Sequence, residues 1–119
     1  MANELTVTVG MAYNNGGTAL NFTTTADQVT VSANFALRSV YTVPLAGASL
    51  PLGGITTPGY ILIQNKDATN FILVGNSGDT LPVRVNAGEL VLFRFANGIV
   101  PYVIADTAAV VIDYMLIES

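Results

Sequence analysis

The chain has 119 residues, of which 51% are hydrophobic and 10% charged, with a net charge of −4 and neither cysteine nor histidine. An ordinary soluble domain carries about 25% charged residues, so this chain has little polar surface with which to face water on every side. Its four cations are scattered along the sequence, which argues against nucleic-acid binding by phosphate neutralisation. A Ser-His-Asp or Cys-His nucleophile, a histidine metal site and disulfide bonds are all excluded within one chain.

The length predicts a single domain over residues 1–119 with a self-sufficient core. The apolar runs are far shorter than the ~18 residues of a membrane-spanning helix, so we expect no membrane partner. The N terminus shows no basic segment followed by an apolar one, so no secretory signal is predicted. Two explanations of the apolar excess stay open: burial at permanent subunit interfaces, or a simple β-sandwich with unusually uncharged loops.

The first part of the chain predicts short strands. After a polar lead over residues 1–4, apolar residues alternate with small or polar ones from Leu5 to Tyr13, which predicts one half-buried strand. The sequence Asn14-Asn15-Gly16-Gly17 predicts a tight turn into a second strand. The alternation returns after residue 27, and a less regular strand is expected to end before Pro44, which cannot donate to a ladder.

The segment 45–58 is the longest stretch without a predicted strand, and loops of this length tend to be functional or mobile. Two interpretations stay open: a crossover whose leucines tuck under the sandwich, or an arm that reaches a neighbouring subunit. In the second, each apolar side chain gains about 1.5 to 3 kcal/mol when a partner covers it. The residues that we predict to contact a partner are Leu45, Leu50, Leu52 and Ile55 of this segment, and Leu5 near the N terminus.

The segment 59–75 predicts a central hairpin. Two apolar, β-branched runs, 60–64 and 71–74, flank the polar connector Asn65-Lys66-Asp67-Ala68-Thr69-Asn70. Both faces of the first run are apolar, because its even-numbered and odd-numbered side chains point to opposite sides. We therefore expect this hairpin at the centre of a two-layer core, or with one face covered by a partner subunit.

The rest of the chain adds further strands and one ambiguity. Asn97-Gly98 is the clearest short-range hairpin signal, between runs at 91–95 and 99–104. The final segment, 106–118, is compatible with a short helix or a strand, and its β-branched composition favours a turn followed by a strand. About nine or ten short strands with turn signals between them predict an all-β, single-domain antiparallel β-sandwich, jelly-roll-like.

Carboxylates are the remaining candidates for catalysis, and they do not form a convincing pair. Turn formation and solvation explain them better than glycoside hydrolysis does: Asp67, Asp79, Asp106 and Glu89 fall in or beside turn signals, and Asp113 and Glu118 on the last strand. Asn76 and Asp79 are weak calcium candidates, because no known calcium motif surrounds them. The sequence predicts no enzyme, cofactor or metal, and glycan binding by partly exposed tyrosines is an alternative.

The second half of the chain also resembles a known group. The segments that carry the resemblance are 59–71, Pro82-Val83-Arg84-Val85-Asn86-Ala87-Gly88-Glu89, Leu92-Phe93-Arg94-Phe95 and Ala105-Asp106-Thr107-Ala108-Ala109-Val110. Over about residues 59–118 the chain resembles small virion structural proteins of tailed bacteriophages, a group similar to capsid decoration, or cement, proteins.

The resemblance implies a non-enzymatic protein on the capsid surface, made in the cytoplasm of the bacterial host. Its implied partners are the major capsid protein and copies of itself in a dimer or trimer, without nucleic acid or membrane. A tail component, or a receptor- or glycan-binding β-sandwich of the virion, is the alternative.

Overall fold

A computed structural model of the chain describes residues 3–16, 18–24, 27–31, 36–78, 80–96 and 98–118. These described residues contain twelve strands and no helix, which confirms the predicted all-β fold. They divide into two compact units, Met1–Asn34 and Phe35–Ser119, which we describe separately. The first four strands pair among themselves in the described part of the chain, and one domain over 1–119 stays a prediction.

The first unit consists of two antiparallel strand pairs. One sheet pairs β1 (Asn3–Val7) with β4 (Asp27–Val31), and the other pairs β2 (Gly10–Asn15) with β3 (Thr18–Thr23). The predicted turn between β2 and β3 is confirmed as a hairpin, although Gly17 of that turn lies outside the described residues. Residues 32–35, where the next alternation was predicted to continue, also lie outside them.

The continuous strand predicted from Leu5 to Tyr13 is wrong, because the chain leaves one sheet after β1 and enters the other at β2. Thr24 holds this break in place. Its Oγ1 accepts a hydrogen bond from the Val9 amide at 2.9 Å, and its own amide donates to the Val9 carbonyl at 2.9 Å. The first strand also begins at Asn3, inside the predicted polar lead of residues 1–4.

The second unit contains eight strands in a β-sandwich-like arrangement. The strands are β5 (Ala36–Val43), β6 (Ala48–Ser49), β7 (Pro58–Asn65), β8 (Ile72–Asn76), β9 (Val83–Val85), β10 (Leu90–Arg94), β11 (Pro101–Ala105) and β12 (Val110–Glu118). They form two four-stranded antiparallel sheets, in the orders β10-β7-β12-β5 and β6-β11-β8-β9. The ambiguous final segment is therefore a strand.

The strand pairs of this unit are nested in the sequence. The innermost pair is β8 with β9, followed outward by β7 with β10, β6 with β11, and β5 with β12. Successive pairs alternate between the two sheets. Among the described residues of the unit, the connection from β8 to β9 is the one that stays within a sheet, and every other connection crosses to the opposite sheet.

Two predicted hairpins are therefore wrong. The runs 60–64 and 71–74 lie in β7 and β8, which belong to different sheets, and Asn97-Gly98 lies between β10 and β11, which do so as well. Asn97 itself is outside the described residues, but the Ile99 amide still donates to the Ala96 carbonyl across this turn at 3.2 Å. In both cases the two strands that the connection joins pair with other strands instead of with each other.

The buried Asn65 shapes the crossover from β7 to β8. Its Nδ2 donates to the carbonyls of Asn70 at 2.9 Å and Val85 at 3.1 Å, and its Oδ1 accepts from the Asp67 amide at 2.8 Å. The Asp67 carboxylate in turn accepts from the amides of Thr69 and Asn70, which lowers the pKa of Asp67. This network gives partners to a buried amide and fixes the connector.

The core lies between the two sheets and is made of aliphatic side chains from both. Fully buried residues alternate with outward ones along each strand, as the pleat requires. The largest of them are Ile61, Ile63, Ile72, Ile112 and Leu116, together with Leu50 from the segment between β6 and β7. Each contributes about 1.5 to 3 kcal/mol through removal of its apolar area from water.

Candidate interaction surfaces

The residues predicted to contact a partner lie in different surroundings. Leu50 and Ile55 are 1% and 5% exposed and belong to the hydrophobic core, and Leu52 packs against that core partly buried. Leu45, in the turn after β5, is 52% exposed, and Leu5 in β1 is half-buried. The segment 45–58 thus tucks Leu50 and Ile55 under the sandwich, and contact with a partner stays a prediction for Leu5, Leu45 and Leu52.

Hydrogen bonds fasten the segment 45–58 to the sandwich. The Leu50 amide donates to the Pro101 carbonyl at 2.8 Å, and the Tyr114 hydroxyl donates to the Pro51 carbonyl at 2.9 Å. Burial of that hydroxyl raises the pKa of Tyr114. Because these bonds hold the middle of the segment and Leu50 and Ile55 lie in the core, the segment is an integral part of the domain rather than a free arm.

One broad face of the sheet β10-β7-β12-β5 points away from the core. Side-chain alternation sends Ile61 and Ile63 inward, so Leu62 points outward between its cross-strand neighbours Leu92 and Met115. Leu90 and Val40 lie one row further along, on the two edge strands with Gln64 and Asp113 between them, and are well exposed. We call this set of six residues the outer sheet face: Val40, Tyr60, Leu62, Leu90, Leu92 and Met115.

The charged side chains on this side of the sheet have partners within the chain. Arg38 donates to the Asp113 carboxylate through Nη2 at 3.0 Å and through Nε at 3.4 Å, which lowers the pKa of Asp113. The guanidinium of Arg94 lies 5.6 Å from the centre of the Tyr60 ring. The outer sheet face therefore offers apolar contact rather than an uncompensated charge.

A second exposed apolar surface lies on the β2–β3 hairpin. Met11 pairs with Phe22 and Tyr13 with Leu20 across the two strands, so all four side chains share one side of the hairpin. Each is between 61% and 72% exposed. We call these four residues the hairpin face; the opposite side carries the small or polar residues Ala12, Asn14, Ala19 and Asn21.

Several of the candidate carboxylates make hydrogen bonds within the described part of the chain. No three His, Cys, Asp or Glu side chains among them come close enough to hold a metal ion, and Asp79 lies outside them. The carboxylates of Asp67, Asp113 and Glu118 are engaged in hydrogen bonds that hold the fold. No helix in the described part of the chain is long and apolar enough to span a membrane.

Comparisons of the chain with protein-family models, with curated proteins and with solved structures find no match. The class that the structure defines is an all-β protein with two four-stranded antiparallel sheets and two exposed apolar surfaces. What this arrangement can do chemically is to bind other proteins through apolar contact.

Proposed function

We propose that the chain is a structural protein of a tailed-bacteriophage virion, a capsid decoration (cement) protein that binds the major capsid protein and stabilises the head. The observation that carries this proposal is the outer sheet face, an exposed apolar surface presented by a sheet whose other side is the domain core. Contiguous exposed apolar patches on folded domains mark sites of contact with other proteins. The resemblance of residues 59–118 to phage virion proteins is the reason for proposing a phage head as the assembly that the protein binds.

The strand pairing supports a jelly roll within this proposal. The eight strands form four nested antiparallel pairs, and successive pairs alternate between the two four-stranded sheets. Rolling up one long antiparallel hairpin produces this arrangement. Double-sheet jelly rolls of eight strands recur in viral capsid and lectin domains. A rigid scaffold of this kind suits a protein that ties capsid subunits together.

The proposed binding mode follows from the composition of the outer sheet face. Covering Leu62, Leu90 and Leu92 with a capsid surface removes apolar area from water. Full burial of an exposed leucine is worth about 1.5 to 3 kcal/mol, and Leu62, which is 37% exposed, gains a correspondingly smaller part of it. Because the nearby charges are paired within the chain, we expect head binding to depend weakly on salt. Many copies on a symmetric lattice then add their contributions. The protein is made in the host cytoplasm and assembles on the capsid surface, with copies of itself as further partners.

The test is sedimentation of the purified protein with undecorated phage heads. We expect the wild-type protein to pellet with the heads and to raise the temperature at which they open. The double variant Leu62→Gln and Leu92→Gln should stay in the supernatant while it keeps the wild-type circular dichroism spectrum. Lys66→Gln, which changes an exposed side chain outside the outer sheet face, is the matched control and should bind normally.

Two results would contradict the proposal: a wild-type protein that ignores heads, or a double variant that binds as well as the control. Binding to glycans on an array, together with no binding to heads, would instead support the receptor- or glycan-binding alternative.

A further inference from the structure

The hairpin face lies on a structure that needs support. An isolated two-stranded hairpin is at best marginally stable in water, because it has no second layer on which to bury its apolar side. Here that side carries Met11, Tyr13, Leu20 and Phe22, four large side chains in two cross-strand pairs. Their exposure between 61% and 72% leaves most of their area available for contact.

The edges of the same hairpin are also open. Within the described residues β2 pairs with β3 alone and β3 with β2 alone, so each strand has an outer edge without a neighbour. Natural edge strands are usually protected by charged side chains, proline or a bulge. Neither strand contains a charged residue or a proline, and the register between them is continuous from Gly10 to Asn15. The hairpin therefore lacks the usual devices that prevent pairing with another chain.

The absence of charge fits a second copy of the chain as the partner. The sequence contains no charged residue from Leu5 to Ala26, so neither the hairpin nor the chain directly flanking it offers a charge for an oppositely charged surface to recognise. An uncharged apolar face complements an uncharged apolar face, and a copy of this chain carries one. A two-fold axis brings the same patch onto itself, which meets no like-charge repulsion when the patch is neutral. Tyr, Phe and Met are also residue types enriched in interface cores.

We infer that the β2–β3 hairpin is the contact between copies of this chain, with the hairpin face of one copy covering the hairpin face of a second. The inference deepens the proposed function, since it assigns a surface to the contact between copies. Its test uses the purified protein without heads, so a failure here and a failure of head binding are seen in separate experiments.

The first test is the mass in solution by light scattering. We expect wild-type protein to have a multiple of the 12.4 kDa of one chain. Leu20→Asp places a charge in the hairpin face and should reduce the mass to that of one chain. Asn21→Asp adds the same charge at the next residue, on the opposite side of the hairpin, and should keep the wild-type mass.

The second test uses single cysteines, because the natural chain has none. Met11→Cys lies on the hairpin face, and its neighbour Ala12→Cys lies on the opposite side. With a short bismaleimide, Met11→Cys should form covalent dimers several-fold faster than Ala12→Cys at the same protein concentration. If Leu20→Asp loses the thermal transition of the wild-type protein, that variant is not folded and its mass cannot be interpreted. The two cysteine variants add no charge, so their cross-linking rates then test whether the hairpin face forms the contact between copies.

A wild-type protein with the mass of one chain would overturn the inference, and so would equal cross-linking at the two positions. In the first case, slow labelling of Met11→Cys by a monofunctional maleimide would show that the chain covers the hairpin face itself. Leu20→Asp protein that has the mass of one chain and still pellets with heads would support the inference and separate it from head binding.

Discussion

The carboxylate of Glu118 accepts two hydrogen bonds from Thr56, one from its amide at 2.9 Å and one from its hydroxyl at 2.7 Å. Glu118 ends β12 and is 7% exposed, whereas Thr56 belongs to the segment that places Leu50 and Ile55 in the core. Because both donors stabilise the charged carboxylate, they lower the pKa of Glu118. The contact ties the last strand to the segment between β6 and β7.

This contact predicts a loss of stability in acid. A carboxyl group whose pKa is lower in the folded state contributes to the free energy of unfolding fully above its unfolded pKa, and the contribution is lost as the pH falls through the folded pKa. The unfolded value is 4.5 for Glu118 and 3.8 for Asp67 and Asp113, whose pKa values are lowered too. We expect a melting temperature that changes little above pH 4.5 and falls below it.

Melting curves recorded by circular dichroism across this range check the prediction, with Glu118→Gln as the comparison. The variant should be less stable than the wild type near neutral pH, and its melting temperature should fall less in acid because one titrating group has been removed. A fall as steep as that of the wild type would show that Glu118 does not contribute.

Asn65 provides a test of the β7–β8 crossover. Asn65→Ala leaves the carbonyl of the buried Val85, and the Asn70 carbonyl, without the donor they have now. We expect the free energy of unfolding, measured with urea at equilibrium, to decrease by about 1 to 3 kcal/mol. Lys66→Ala is the control, since this exposed side chain should change the free energy by about 0.5 kcal/mol or less. Equal effects of the two variants would contradict the role of Asn65.

Leu62 and Ile63 are neighbours in β7 that point to opposite sides of the sheet. Ile63→Ala should lower the free energy of unfolding by about 2 to 5 kcal/mol, because it opens a cavity in the core. Leu62→Ala should lower it by about 1 kcal/mol or less, because this side chain already meets solvent. Urea titration of both variants measures the difference, and similar losses would mean that the outer sheet face is covered within the chain.

Gly47 is held by both its backbone and its surroundings. Its φ is 83°, and a Cβ at this position would overlap the hydroxyl and ring of Tyr102. Gly88 has a similar φ of 78° with open space around it, so Gly88→Ala isolates the backbone strain. We expect Gly47→Ala to cost about 1 to 3 kcal/mol more than Gly88→Ala.

A double-mutant cycle with Tyr102→Ala separates the two causes. The extra cost of Gly47→Ala should disappear once the ring is removed, whereas the cost of Gly88→Ala should not change. Persistence of the extra cost would assign it to the backbone.

Sequence patterns predicted where strands occur, because strand formation depends on residues that are close together in the sequence. The β-branched, apolar composition of 60–64 and of the final segment predicted strands, because such side chains fit a pleated, buried surface. The alternation from Leu5 to Tyr13 could not show where β1 ends, since it continues through the Thr8-Val9 break. Such patterns also could not show which partner a strand takes: β7 pairs with β10 and β12, which follow much later in the chain.

The candidate surfaces were predicted less well than the strands. The two-sided apolar character of 60–64 did not show which side of β7 faces the core, and the structure places Ile61 and Ile63 there and Tyr60 and Leu62 on the other side. Leu50 and Ile55 were predicted to contact a partner, yet both are buried, because a leucine in a glycine-rich loop gives no local sign of where the loop packs. The hairpin face was missed, although the uncharged run from Leu5 to Ala26 was a signal for it.

The nested pairing in the second unit also predicts an order of folding. The β8–β9 connection is short, so that pair closes at small entropic cost, whereas β5 and β12 stand at opposite ends of the unit's sequence. Once β8 and β9 have met, β7 and β10 are already close, and the same holds outward to the last pair. Folding that starts at the innermost hairpin therefore requires only the closure of short loops at each step. Destabilising changes in β8 or β9 should then slow folding, and those in β5 should chiefly speed unfolding.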